Sequence, residues 1–261
     1  MPDRIEETLA KVPAITLGFW IVKVLATTLG ETAGDSVSMS WLGETTAEAT
    51  GWGYLIGTAI FLVPLAMLVA LQIRAVRFNS WLYWATIIAS TTAGTTLADF
   101  ATRSLGIGYP GGSLVLFALV LASLLAWHRS TGSIAVGSVA TPRAEAFYWL
   151  TITCSQTLGT ALGDWTADTG GLGYLGGATL FALGLLALVA VWRFTAVSRT
   201  ALFWAAFVLT RPLGATVGDF LDKPLAKGGL DLSRPLASLA LVVAIVLFVW
   251  LLPQRAADRA H

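Results

Sequence analysis

The stretch from Phe19 to Ser36 reads FWIVKVLATTLGETAGDS, and its pattern occurs four times in the chain. The other copies are YWATIIASTTAGTTLADF from Tyr83, YWLTITCSQTLGTALGDW from Tyr148 and FWAAFVLTRPLGATVGDF from Phe203. Each copy starts with an aromatic residue and a tryptophan, and each has an aspartate fifteen residues after that tryptophan. A register kept without gaps over eighteen positions indicates an internal repeat.

The composition around these copies is that of a membrane protein. Of the 261 residues, 56% are hydrophobic and 12% are charged, whereas a soluble domain averages about 25% charged residues. A bilayer core of about 30 Å needs roughly 20 apolar residues per helix. Eight segments qualify, approximately residues 14–36, 52–73, 80–101, 109–127, 146–167, 173–192, 200–221 and 233–252. The sequence therefore predicts an all-α integral membrane protein with eight transmembrane helices in a single domain, residues 1–261.

The spacing of the repeated aspartates predicts the arrangement of the spans. Successive aspartates are 64, 65 and 55 residues apart, and each interval covers two spans. All four copies therefore point the same way, as parallel repeats of a helical hairpin. The predicted hairpins cover approximately residues 14–73, 80–128, 144–193 and 200–253.

The basic residues predict the orientation in the membrane. Ten Lys and Arg residues lie in the two terminal segments and in the links after the even-numbered spans, so we expect both termini to be cytoplasmic. The first apolar run carries Lys23, Glu31 and Asp35 and has no small-x-small cleavage pattern. We interpret it as a retained first span rather than a signal peptide.

The odd-numbered spans carry the polar residues. At 100° per residue, the positions four, seven and eleven residues before each aspartate share a helical face with it. Glycines on the same helices form GxxxG or a near equivalent, which lets membrane helices approach closely. The even spans have no ionisable residue in their apolar cores, so we expect odd helices inside and even helices outside. Trp84, Trp149 and Trp204 are expected in an aromatic belt at the cytoplasmic boundary.

If the four motif helices surround one axis, this packing predicts one ion pathway lined by the polar face; pairing of the repeats in two halves, 1 with 3 and 2 with 4, is the alternative. Its candidate residues are Lys23, Thr28, Glu31, Asp35, Thr95, Asp99, Thr160, Asp164, Arg211 and Asp219. The five acids among them are the candidate metal ligands. Five acids and two bases leave a formal charge of −3, which a bound cation or protons would have to offset. The alternative is internal salt bridges, for instance from Lys23 to Asp99 or Asp219.

A second short element follows three of the four copies. It reads GWGY up to Tyr54, GIGY up to Tyr109 and GLGY up to Tyr174. The fourth copy departs from it and shows KGGL at Lys227 to Leu230.

The fourfold GETAGD-like block in an eight-span chain resembles a family of bacterial membrane proteins defined by a repeat of unknown function. The resemblance covers approximately residues 14–252. It implies the eight-span fold and a location in the bacterial cytoplasmic (inner) membrane. It supplies no substrate or catalytic residue, and only a loose association with metals such as manganese.

Two functions remain open from the sequence. The first is transport or binding of a hard or borderline cation, Mn²⁺ or another divalent ion, with protons as a coupling ion, because the available ligands are all oxygens. The second is a structural, assembly or ion-sensing role without transport. An enzyme is not expected, because His128 lies in a cytoplasmic link and no paired histidines suit a haem.

The expected partners follow from the same reasoning. They are the lipid bilayer and an inorganic cation or protons, and a divalent cation is the only cofactor considered. The net charge of +1 gives no reason to expect nucleic acid, and the sequence leaves open whether the chain forms a homo-oligomer.

Overall fold

The computed structural model describes residues 10–257, and in this range the chain is built from eight α-helices. Its only β-pairing in that range is an isolated bridge between Pro13 and Ala256. The helices are α1 (Leu17–Asp35), α2 (Trp52–Arg74), α3 (Ser80–Asp99), α4 (Gly108–Thr131), α5 (Pro142–Asp164), α6 (Gly173–Phe194), α7 (Arg199–Asp222) and α8 (Arg234–Leu251). The number and positions of the predicted helices are therefore confirmed.

Five of these helices are long and apolar enough to cross a membrane, namely α2, α4, α6, α7 and α8. Helices α1, α3 and α5 are richer in polar residues, and most of their side chains are buried inside the protein. In α2, α6 and α8, by contrast, no more than 22% of the most apolar stretch is buried. The apolar side chains of these outer helices thus face outwards.

The four helices that carry the repeated motif form a closed ring. Helix α1 packs against α3, α3 against α5, α5 against α7, and α7 against α1. Glycines line these contacts, since Gly30 of α1 faces Thr91 of α3 and Gly214 of α7 faces Thr27 of α1. A Cβ atom at Gly30 would lie 2.6 Å from the Thr91 hydroxyl oxygen. The glycines therefore set the close spacing of the ring, as GxxxG predicted.

The even-numbered helices lie outside this ring, but not in the predicted hairpins. Helix α2 packs mainly against α3, α4 against α5, α6 against α7, and α8 against α1. Each outer helix therefore rests on the inner helix that follows it, and the prediction that it pairs with the preceding one is wrong. Short links, residues 75–79 and 195–198, hold α2 against α3 and α6 against α7. The longer link of residues 132–141 does not by itself fix α4 on α5, and these two helices are held by an apolar contact that includes Leu116, Val120 and Leu158.

Equivalent hydrogen bonds confirm that α8 rests on α1 as α2 rests on α3. Thr58 of α2 donates to the hydroxyl of Thr96 at 3.1 Å. Ser238 of α8 donates to the hydroxyl of Thr32 in α1 at 2.8 Å. Thr32 and Thr96 both lie three residues before their motif aspartate. The last helix, α8, therefore occupies the same position on α1 that α2 occupies on α3.

The two ends of the described chain meet at the edge opposite the motif aspartates. The backbone N–H of Ala14 donates to the carbonyl of Arg255. Lys11 donates to the carbonyl of Ala75, directly after α2, and to the carbonyl of Val139 in the link between α4 and α5. The ends thus share one side with the links after α2 and α4, as predicted. The predicted cytoplasmic residues Arg4 and Arg259 lie outside the described residues.

An aromatic core fills the ring at this edge. Phe19, Phe203 and the tyrosines at 83 and 148 pack inside it, and the hydroxyls of the two tyrosines lie 2.7 Å apart. Trp84, Trp149 and Trp204 are buried with them. The prediction of a lipid-facing aromatic belt is therefore wrong for these tryptophans, because closure of the ring encloses their side chains.

Candidate functional site

A buried arginine occupies the centre of the ring. Arg211 is fully buried, and its guanidinium bonds residues of all three other inner helices. These partners are the carbonyls of Thr27 (3.0 Å) and Thr91 (3.3 Å) and the hydroxyls of Thr95 (2.6 Å) and Thr160 (2.5 Å). Its charge is balanced by Glu31, whose Oε2 lies 3.0 Å from Nη2. One side chain thus ties the four inner helices together.

Glu31 links this arginine to the level of the motif aspartates. Its Oε2 also lies 3.4 Å from the hydroxyls of Thr95 and Thr160. One carboxylate oxygen from each of Glu31, Asp164 and Asp219 lies within 4.8 Å of the other two, and all three residues are buried. Carboxylates of α1, α5 and α7 and hydroxyls of α3 and α5 therefore converge in one place inside the ring.

Lys23 lies apart from these acids. It is fully buried, and among the described residues it has no carboxylate partner. Its ammonium lies 3.4 Å from Gln156 Oε1 and from Thr210 Oγ1, and 4.1 Å from the centre of the Phe207 ring. The alternative of a salt bridge to Asp99 or Asp219 is wrong, because twelve residues of helix, about 18 Å, separate Lys23 from the level of the aspartates.

Thr28 is also outside the convergent site. Its hydroxyl donates to the carbonyl of Val24 at 3.0 Å, within its own helix. This is the usual local bond of a threonine inside a helix. The positions that face the ring centre are four and eight residues before each aspartate, not seven.

The four motif aspartates divide into two pairs, each bridged by one base. Arg103 contacts Asp99 with Nε (2.7 Å) and Asp164 with Nη2 (3.0 Å). Lys223 forms ion pairs with Asp35 and with Asp219, the latter at 2.9 Å. Each pair therefore holds two carboxylates for one cationic group.

Sequence reasoning assigned these two bases to the loops and missed their role. The available signal was spacing, because Arg103 and Lys223 each follow a motif aspartate by four residues, one helical turn. A further ion pair joins Asp222 to Arg234 at 3.1 Å. These groups form what we call the charged cluster, with six carboxylates and four bases: Glu31, Asp35, Asp99, Asp164, Asp219 and Asp222 with Arg103, Arg211, Lys223 and Arg234. Its formal charge is −2, rather than the predicted −3.

Two carboxylate oxygens of the cluster are buried without a partner among the described residues. Asp35 Oδ1 and Asp99 Oδ2 accept no hydrogen bond there, and the ion pair of each residue is made by its other oxygen. A buried anionic oxygen without a partner is costly. These oxygens are therefore free to accept a ligand or a proton.

Three of the four motif helices end at their aspartate and continue into a wider, π-helical turn. π-Helical turns follow directly at Ser36–Trp41, Phe100–Ser104 and Trp165–Thr169. Such turns are rare and are frequent at functional sites. The fourth motif aspartate is not followed by such a turn, because α7 continues as an α-helix to Asp222.

The outer helices contribute one residue each at this mouth. Tyr109 donates a hydrogen bond to Asp168 at 3.2 Å, and its counterparts in α2 and α6 are Tyr54 and Tyr174. In α8 the same place at the start of the helix is taken by Arg234, as the shared pattern YPGGS and RPLAS shows. The fourth copy thus has a base instead of the tyrosine, and KGGL lies in the preceding link.

A cavity of about 630 Å³ opens at this end of the ring. Asp219, Asp222, Lys223 and Arg103 line it, together with Arg234. Burial lowers the pKa of Lys223, but the carboxylates of Asp219, Asp35 and Asp222 outweigh this effect and hold its pKa well above the usual value. The ammonium at the edge of the cavity is thus firmly charged.

The fold and the site define a class: an all-helical repeat protein with apolar outer helices, five helices long and apolar enough to cross a membrane, and a charged interior that is open at one end. The chain belongs to the family described as Repeat of Unknown Function (DUF347), which matches it four times, at residues 18–78, 82–133, 147–198 and 202–256. Comparison with curated proteins gives no match, and comparison with solved structures gives none either.

Proposed function

We propose that this protein is a multi-pass protein of the bacterial cytoplasmic membrane that transports a divalent cation, Mn²⁺ being the first candidate. All eight helices cross the bilayer in this proposal, and both termini are cytoplasmic. The polar helices α1, α3 and α5 are shielded from lipid because α2, α4 and α8 pack against them. The outward-facing apolar residues of the outer helices support this placement.

The observation that carries the proposal is the convergence of Glu31, Asp164 and Asp219 within 4.8 Å. Carboxylate oxygens from three residues are ligands that suit hard or borderline divalent cations. Charged residues inside a membrane domain are costly, and they commonly mark ion pathways. Asp35 and Asp99 complete the proposed ligand set, because each has a buried oxygen without a partner among the described residues.

The formal charge of the cluster supports a coupled mechanism. A divalent cation would neutralise the charge of −2, and so would two protons. Exchange of one for the other keeps the site neutral throughout, which avoids an uncompensated buried charge. Protons are therefore the proposed coupling ion, and the cavity at the aspartate end is the proposed extracytoplasmic entry.

The test is uptake of Mn²⁺ by proteoliposomes that contain the full-length protein. Asp164→Asn and Asp99→Asn are expected to reduce the initial rate at least about tenfold, because each removes a buried ligand. Asp231→Asn is the matched control, since Asp231 lines the same cavity but belongs to neither aspartate pair. Wild-type rates in both ring variants, with the fold intact, would refute transport through this cluster.

A second candidate is a structural or ion-sensing role without transport. It is favoured because every motif aspartate already contacts a base of the same chain. The buried aromatic core at the other end of the ring also favours this role, because it fills the space that an ion pathway would need. A variant with all four motif aspartates changed to asparagine separates the candidates: greater stability with unchanged cellular function supports the structural role, and loss of Mn²⁺ uptake supports transport.

A further inference from the structure

Lys223 holds a position in the site that a metal ion would otherwise suit. It directly follows α7, and its ammonium contacts carboxylates of two helices: Asp35 of α1, and Asp219 and Asp222 of α7 at 2.9 and 3.8 Å. Met39 Sδ lies 3.6 Å from the same nitrogen. The ammonium is thus surrounded by ligand atoms from several directions.

The three carboxylates form a compact set in their own right. One oxygen from each of Asp35, Asp219 and Asp222 lies within 4.8 Å of the other two. Asp35 is fully buried, and its Oδ1 has no partner among the described residues. This oxygen is a free ligand atom in addition to those that Lys223 contacts.

We propose that Lys223 is a tethered, displaceable cation and that a divalent metal ion replaces its ammonium at Asp35, Asp219 and Asp222. This inference rests on the proposed function and adds a second cation station at the mouth of the ring. With the ammonium withdrawn, three carboxylates and Arg234 leave a formal charge of −2. A divalent ion neutralises this charge, whereas a monovalent ion does not.

The chain allows this exchange by movement of one side chain. The backbone of Lys223 is held in place, because its N–H donates to the backbone carbonyl of Asp219 and its carbonyl accepts from the backbone N–H of Asp231, both at 2.9 Å. The side chain borders the cavity of about 630 Å³. The ammonium can therefore swing into water while the three carboxylates stay in place.

The opposite aspartate pair is built differently. Arg103 reaches Asp99 and Asp164 at once through two nitrogens of its planar guanidinium. Such a fork fits carboxylates in a fixed geometry, whereas a lysine is a compact charge on a flexible stem. We infer that Arg103 is the permanent counter-ion of the site and Lys223 the exchangeable one.

Asp219 connects the two stations. It belongs to the outer set with Asp35 and Asp222 and to the inner set with Glu31 and Asp164. An ion that displaces Lys223 at the mouth therefore already has a ligand of the inner site. The outer set is the point of entry, and its occupancy by the ammonium keeps the entrance closed when the metal is absent.

The experiment measures the affinity of the purified full-length protein for Mn²⁺ in detergent, by thermal shift and by isothermal titration. Lys223→Met removes the competing cation and is expected to tighten the apparent Kd about tenfold or more, because binding no longer requires a minor state. Lys227→Met is the control: it removes a lysine from the same cavity, and Lys227 contacts no carboxylate among the described residues. Its Kd should stay within about twofold.

A second variant keeps the test decisive if Lys223→Met does not fold. Lys223→Arg keeps the charge but holds the carboxylates more rigidly, so the apparent Kd is expected to weaken about fivefold or more. Wild-type binding that neither variant changes would overturn the inference and leave the proposed function standing. Absence of Mn²⁺ binding and uptake by wild type and variants alike would refute the proposed function itself.

Discussion

Replacement of Arg211 by methionine tests whether the central ion pair holds the inner ring together. The change removes the only cationic group within ion-pair distance of Glu31 among the described residues, and it leaves that carboxylate buried with two hydroxyls at 3.4 Å. Breaking a buried pair from one side costs about 3–5 kcal/mol. We expect Arg211→Met to lose this amount of unfolding free energy.

The other single change is expected to cost less. Glu31→Gln leaves Arg211 with four neutral acceptors, the carbonyls of Thr27 and Thr91 and the hydroxyls of Thr95 and Thr160. We expect a loss of about 1–3 kcal/mol, as for one unsatisfied buried group. The double variant contains neither charge, so it should be more stable than Arg211→Met alone by about 2 kcal/mol.

The assay is unfolding by a denaturing detergent in mixed micelles, followed by far-UV circular dichroism. Arg77→Met is the control, because Arg77 is exposed in the short link after α2, and it should change stability by no more than about 0.5 kcal/mol. A loss below about 1 kcal/mol for Arg211→Met, or a double variant no more stable than that single one, would refute this account of the ring.

Two further changes test the close contact between α7 and α1 and the ion pair at the edge of the ring opposite the motif aspartates. Gly214→Ala places a Cβ atom 2.6 Å from that of Thr27 and should cost about 1–3 kcal/mol, seen as a lower Tm. Gly184→Ala, whose nearest neighbour would be 3.7 Å away, should leave the Tm unchanged or higher, and equal losses would contradict the close contact. Lys11→Met removes the 2.6 Å partner of buried Glu145 and should cost about 1–3 kcal/mol at pH 7. The loss should shrink as the pH is lowered, because a protonated carboxyl no longer needs a cationic partner, and a loss independent of pH would count against the ion pair.

Much of the architecture was predictable because it depends on patterns within single helices. The fourfold register placed Asp35, Asp99, Asp164 and Asp219 at one level, and the structure gathers them there. The polar faces predicted an inner ring, and the glycines predicted its close contacts. The convergence of Glu31 on its neighbours follows from the same face, since it lies one turn before Asp35.

The misses concern partners that lie on different segments. The pairing of Lys223 with Asp35 joins residues 188 positions apart, and no periodicity within a helix indicates it. The tryptophans fit an aromatic belt by their position along the helix, but the ring encloses them. Lys23 was placed on the ion pathway by its depth, yet its neighbours are Gln156, Thr210 and an aromatic ring.

The amino-acid sequence by itself determined the repeat, the number of helices, their parallel order and the level of the carboxylates, because these depend on the helical period and on the distance between copies. Only the tertiary structure decided that each outer helix rests on the following inner helix, and which base neutralises which acid. The physical reason is that these contacts join distant segments: α8 packs on α1, at the other end of the chain, because the four inner helices close into a ring, and a helical period within one segment carries no information on such partners.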